Sequence, residues 1–181
     1  MSSADLQGKA SVSAPDRAMR LRALRLRAFL ILIALIQALD IPSKISVLLM
    51  NDPQVPGPGW GGWAVAAHLA LSPLATLAVI YFAVRGRLTY AVLALAVTSL
   101  LGWLSMLPSV VIHWGNFPGP GISGLYTIWD VLVQPVTIAL AVLLAWRREH
   151  IVLAAILAAL PTILGALGVI VFATGVAIYG F

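Results

Sequence analysis

A chain of 181 residues with 61% hydrophobic and only 9% charged side chains lies far from the composition of soluble domains, in which about 25% of residues are charged, and a soluble globular protein is excluded. The formal charge of +5 comes from Lys and Arg residues scattered through short segments between apolar runs, which argues for the lipid bilayer and against nucleic acid as the partner. The absence of cysteine excludes disulfides, thiolate metal centres and cysteine nucleophiles.

In chain order, residues 1–16 are polar and are expected to be disordered. Residues 17–27 alternate Arg17, Arg20, Arg22, Arg25 and Arg27 with Leu, Ala and Met, the pattern of a plain basic flank or of an amphipathic segment on an anionic leaflet. Together, 1–27 read as a cytoplasmic basic segment. Apolar stretches follow at 28–50, 60–84, 88–112, 125–146 and 151–178, each longer than the roughly 20 residues that cross a ~30 Å hydrocarbon core. They are too long for barrel strands, so each must satisfy its backbone as a helix. The first exceeds the length of a signal-peptide core and no small-x-small cleavage pattern follows it cleanly, so it is expected to remain attached. The predicted fold class is all-α, a polytopic bundle of five transmembrane helices forming one domain over 28–181.

Pro56-Gly57-Pro58-Gly59 recurs as Pro118-Gly119-Pro120-Gly121. The same offset of 62 residues pairs Gly62 with Gly124, His68 with Asp130, Pro73 with Pro135, Ala83 with Ala145 and Arg85 with Arg147, without a gap. Carried back with a four-residue shift, it sets Ile41-Pro42-Ser43 on Leu107-Pro108-Ser109. Spans 1–2 and 3–4 therefore read as two parallel-repeat hairpins about a pseudo-two-fold axis along the membrane normal, with the fifth span an unpaired extra. On that span Ala154, Ala158, Thr162 and Gly165 share one face, a small-residue seam for close helix contact within the chain, in a homo-oligomer or in a larger membrane complex.

Ten of the 11 Lys and Arg residues flank one set of span ends, Lys44 being the exception, and the loops at 51–59 and 113–124 contain none. By the positive-inside rule the chain sits in the cell inner membrane with its N-terminus cytoplasmic and both Pro-Gly loops and Phe181 outside. Trp60, Trp63, Trp114, Tyr126 and Trp129 then form an outer aromatic belt, with Tyr81 and Trp146 near the inner face.

Charged and amide side chains inside a membrane are costly and mark candidate sites. Asp40, Lys44, His68, Asp130 and Gln134 all fall in the outer half, ~8–15 Å from the outer span ends at ~1.5 Å per residue. Gln37, Asp40 and Lys44 share one face of span 1; His68, Ser72 and Thr76 one of span 2; Thr98, Gly102, Ser105 and Ser109 one of span 3; Asp130, Gln134 and Thr137 one of span 4. Hydrocarbon solvates none of these faces, so they are expected to converge on a single ligand-binding layer, with His68 beside Asp130 as a proton acceptor or pH sensor. Pro42, Pro73 and Pro135 release the carbonyls of Ala38, Leu69 and Val131 to the same layer. The alternative is packing alone, with Asp40 pairing Lys44 along one helix and His68 bonding Asp130 to hold the hairpins together.

The first functional reading is a non-enzymatic binding or accessory protein with an outward-facing polar pocket for a small or lipid-like ligand or a partner helix. A second is a small oligomeric proton-coupled transporter or channel using Asp40 or Asp130 with His68, although no polar layer faces the cytoplasm. A third is a redox protein with haem between His68 and His113; no other cofactor is implied. Sequence motifs of serine hydrolases, zinc proteases and intramembrane aspartyl proteases are absent. In length, span number and tryptophan content the chain is similar to the tryptophan-rich sensory proteins, which bind tetrapyrroles and sterols, but it lacks their tryptophan- and proline-rich loop motifs and no residue role is carried over.

Overall fold

The computed structural model describes residues 14–50, 59–112 and 121–180, and among these every regular element is helical. The helices are α1 (Ala14–Ala38), α2 (Ile41–Leu49), α3 (Gly59–Val84), α4 (Leu88–Ile112), α5 (Gly121–Ile128), a π-helical turn (Trp129–Val133), α6 (Gln134–Trp146) and α7 (Ile151–Tyr179). Among the described residues, four stretches are long and apolar enough to cross a membrane: α3, α4, the π turn together with α6, and α7. The Pro-Gly segments 56–58 and 118–120, His113, Trp114 and Phe181 lie outside the described residues.

The stretch expected to cross as one helix over 28–50 is instead two. Pro42 has no N–H for the Ala38 carbonyl and its ring would strike that oxygen, so α1 stops at Ala38 and the chain turns at Leu39 and Asp40. Helix α2 restarts with the Asp40 carbonyl accepting from the Lys44 N–H at 3.1 Å and from the Ser43 hydroxyl at 2.8 Å. At its other end α1 begins at Ala14, so Arg17, Arg20, Arg22, Arg25 and Arg27 are part of the helix. A second proline acts differently. Ahead of Pro135 the chain widens into the π turn, in which the Gln134 N–H reaches back to the Trp129 carbonyl. Pro73, Pro108 and Pro161 are carried inside α3, α4 and α7 without a break.

Helix α4 is central, packing on α1, α3, α6 and α7, while α1 also meets α3 and α7. Toward the basic ends of the helices the core is mostly alanine: Ala34, Ala83, Ala91, Ala141, Ala145, Ala154, Ala155, Ala158 and Ala159 are fully buried beside Leu30, Val79, Val92 and Leu95. Small side chains let helix backbones approach closely, the chief source of cohesion where lipid removes the hydrophobic drive. The seam residues Ala154 and Ala158 are thus consumed in contacts within the chain.

The turns at the basic end are alike. After α3, Arg87 N–H bonds the Phe82 carbonyl at 2.8 Å and Gly86 N–H the Ala83 carbonyl at 3.0 Å, the paired bonds of a Schellman cap, with Gly86 at φ +72° as its left-handed residue. After α6, Glu149 bonds Leu144 at 3.1 Å and Arg148 bonds Ala145 at 3.2 Å, with Arg148 at φ 56° in the corresponding place. Arg27 of α1 lies against Gly86, its Cζ 2.9 Å from where a Cβ would stand.

Burial follows the same numbering. Each buried residue of α3 (Gly62, Ser72, Thr76, Val79 and Ala83) has a buried residue 62 positions on, namely Gly124, Gln134, Ile138, Ala141 and Ala145. In α4, Ala91, Val92, Leu95 and Ala96 are buried, and so are Ala154, Ala155, Ala158 and Ala159 of α7, each 63 positions on. Leu30, Ile33 and Ala34 of α1 stand 62 before Val92, Leu95 and Ala96.

Candidate functional site

One turn beyond the alanine core toward the opposite ends, the helices exchange apolar contacts for hydrogen bonds. The Gln37 amide donates to the Thr162 hydroxyl at 2.8 Å, joining α1 to α7, and its oxygen accepts from the Thr76 hydroxyl of α3 at 3.4 Å. Ser99 of α4 donates to the Ala158 carbonyl of α7 at 2.9 Å, and the Gln134 amide reaches the Ser99 carbonyl at 3.4 Å. The Thr76 and Thr137 hydroxyls turn back onto their own helices, to Ser72 at 2.9 Å and Gln134 at 2.8 Å. Buried polar groups need partners, and this layer supplies most of its own.

Above the layer the bundle opens into a cavity of about 670 Å³, within the ~300–1,000 Å³ usual for small-molecule sites. Gln37, Thr98, Ser99, Gln134 and Thr162 line it with amides and hydroxyls, and Asp40, Lys44 and His68 add charge and an imidazole. The opposing wall of α7 is apolar or small: Pro161, Gly165, Ala166, Val169 and Ile170. No side chain lies within 4 Å of where a Cβ at Gly165 would stand, so the glycine widens the space. His68 Nδ1 is buried with no hydrogen-bond partner, and Cε1 of the ring is 3.9 Å from the Cβ position of Gly102. Because α2 has no buried residue and Val169 and Ile170 are 67% and 60% exposed, the cavity opens sideways between α2 and the far half of α7.

Four of the five residues expected to converge, Asp40, Lys44, His68 and Gln134, line this one cavity. Asp130 does not. Asp130 stands in the π turn Trp129–Val133, ahead of Gln134. The haem reading required His113, outside the described residues.

Helix α7 also lines the cavity, which its apolar sequence had not suggested. Pro161, Thr162 and Gly165 line the cavity 63 positions after Thr98, Ser99 and Gly102, and these stand 62 after Ile36, Gln37 and Asp40, which line it too. Thr162 and Gly165, assigned to a packing seam, are cavity residues. The signal was present in the identities Ala91/Ala154, Ala96/Ala159 and Gly102/Gly165, masked by one inserted residue in the Arg148–His150 turn. Comparisons with protein-family models, with curated proteins and with solved structures find no match to this chain.

Proposed function

We propose that this chain is a small integral membrane binding or accessory protein whose cavity faces the outer side of the inner membrane and takes an amphipathic small or lipid-like molecule from the bilayer. The observation that carries the reading is the division of the cavity: Asp40, Lys44 and His68 present polar chemistry on one side and α7 an apolar wall on the other, with a lateral opening. A polar head bound at the charged side leaves its apolar part against Ala166, Val169 and Ile170. The alanine core beneath, fully buried on every helix that meets there, supports binding over transport, because a substrate moving through would have to part it.

The same reading takes the bundle as five crossings, α1 and α2 together making the first, with the basic ends cytoplasmic. It also extends the repeat. The matched burial, caps and cavity positions support α1, α4 and α7 as equivalent helices, each touching the other two, with α3 and α6 packed outside them. Helix α7 then opens a third unit, and the relation between units is closer to three-fold than to the two-fold of paired hairpins. The four-residue shift falls at the bend between α1 and α2, where about one turn is lost and the facing is kept.

The test is native mass spectrometry of the protein extracted in mild detergent from its membrane, alongside Gly165→Phe. The wild type is expected to carry a bound amphipathic molecule that Gly165→Phe lacks, with thermal stability of the variant unchanged because that position has open space. An empty wild type, or equal loading of the variant, sinks the proposal.

A further inference from the structure

A second, separate groove lies at the basic end between α1 and α7, about 330 Å³ in volume and lined by Arg22, Arg25, Leu26, Phe29, Val152 and Ile156. The four α1 residues are spaced three, one and three apart and the two α7 residues four apart, so each set is one helical face. Two cations stand at the rim of an apolar trough, and none of the residues lining it is acidic.

Its place in the fold explains why it is open. Helix α3 packs on both α1 and α4, and α6 on both α4 and α7, so two of the three contacts among α1, α4 and α7 have an outer helix over them. Over the α7–α1 contact no described helix lies. A helix resembling α3 or α6, neither of which contains an acidic residue, would leave Arg22 and Arg25 without counter-charge against hydrocarbon, a costly arrangement. A phosphodiester headgroup supplies that charge with bidentate acceptors for guanidinium, and basic pockets between membrane helices take anionic headgroups by this chemistry.

We infer that this groove is a binding site for one anionic phospholipid of the leaflet at the basic end, its phosphate held by Arg22 and Arg25 and an acyl chain laid along Leu26, Phe29, Val152 and Ile156. Leu26 is 6% exposed and forms the floor; Val152 and Ile156, 52% and 44% exposed, form the far wall that the chain would cover. The site is independent of the cavity at the other end.

The experiment reconstitutes the full chain in vesicles of phosphatidylcholine and phosphatidylglycerol at three to one, extracts it in mild detergent and counts retained lipids by native mass spectrometry. One phosphatidylglycerol per chain is expected to survive extraction, and Arg22→Gln with Arg25→Gln to lower its occupancy at least tenfold. Arg17→Gln with Arg20→Gln removes the same charge away from the groove and should leave occupancy within twofold. Val152→Phe with Ile156→Phe fills the trough at unchanged charge and should also displace the lipid. Each variant is first shown to match the wild type in helicity and thermal midpoint; should the arginine pair unfold, the phenylalanine pair decides. Equal retention of phosphatidylcholine, equal loss in the Arg17 and Arg20 variant, retention in the phenylalanine variant, or a co-purifying partner helix in place of lipid would overturn the assignment.

Discussion

The two halves of this bundle are built from opposite materials. At the basic end, alanines on α1, α3, α4, α6 and α7 bring the backbones together with nothing between them; at the other, α1 bends at Asp40, the chain widens at Trp129–Val133, and a cavity of about 670 Å³ separates the same helices. The hydrogen-bonded layer of Gln37, Ser99, Gln134 and Thr162 is the hinge between these regimes. Small side chains close a membrane bundle because dispersion and close approach are most of what holds it, and polar side chains open one because they must be met by other polar groups or by a guest. The described helices thus form a close-packed base and an open top.

The largest test strikes the base. Ala158→Leu forces a branched side chain between α4 and α7 at a fully buried site whose carbonyl accepts from Ser99, and overpacking should cost about 3 kcal/mol, read as a lower midpoint in thermal or detergent unfolding. Ala166→Leu at the cavity wall should change stability by less than about 0.5 kcal/mol. Similar losses at the two sites would erase the distinction between closed and open halves.

Next in size is the pair of caps beneath the base. Gly86→Ala places a Cβ on a left-handed residue and against Arg27, a cost of about 1–2 kcal/mol. Arg148→Gly relieves the same conformation, φ 56°, and should gain up to about 1 kcal/mol. If both variants lose stability, the two turns are not equivalent.

At the top, Asp40→Asn is expected to weaken binding of whatever molecule co-purifies about tenfold, or about 1.4 kcal/mol, whereas Asp130→Asn should alter it less than twofold. Titration of the delipidated protein by calorimetry distinguishes them, and an Asp130 effect as large as that of Asp40 would return Asp130 to the site. The smallest effect belongs to the hinge: Gln37→Leu removes the 2.8 Å bond to Thr162 and should cost about 0.6 kcal/mol, the usual worth of such bonds in membranes. A loss above ~2 kcal/mol would mean that the layer, rather than the alanine base, holds the helices together.

Length and apolarity are local properties, and they placed α3, α4 and α7 within one residue of the expected spans. They also put Asp40, Lys44, His68, Asp130 and Gln134 in one expected layer, because costly side chains in a membrane have few places to go; all of these but Asp130 line the cavity. The 62-residue offset was readable from the Pro-Gly turns and their surroundings. What the sequence left open was decided by packing. Five prolines interrupt the apolar stretches, yet only Pro42 ends a helix and only Pro135 follows a π turn, because neighbouring helices determine whether a freed carbonyl is tolerated or the backbone gives way. The matching burial of α4 and α7 was harder to read, since alanine stands in α7 where α4 has Val92 and Leu95, although both sets of side chains are apolar and buried.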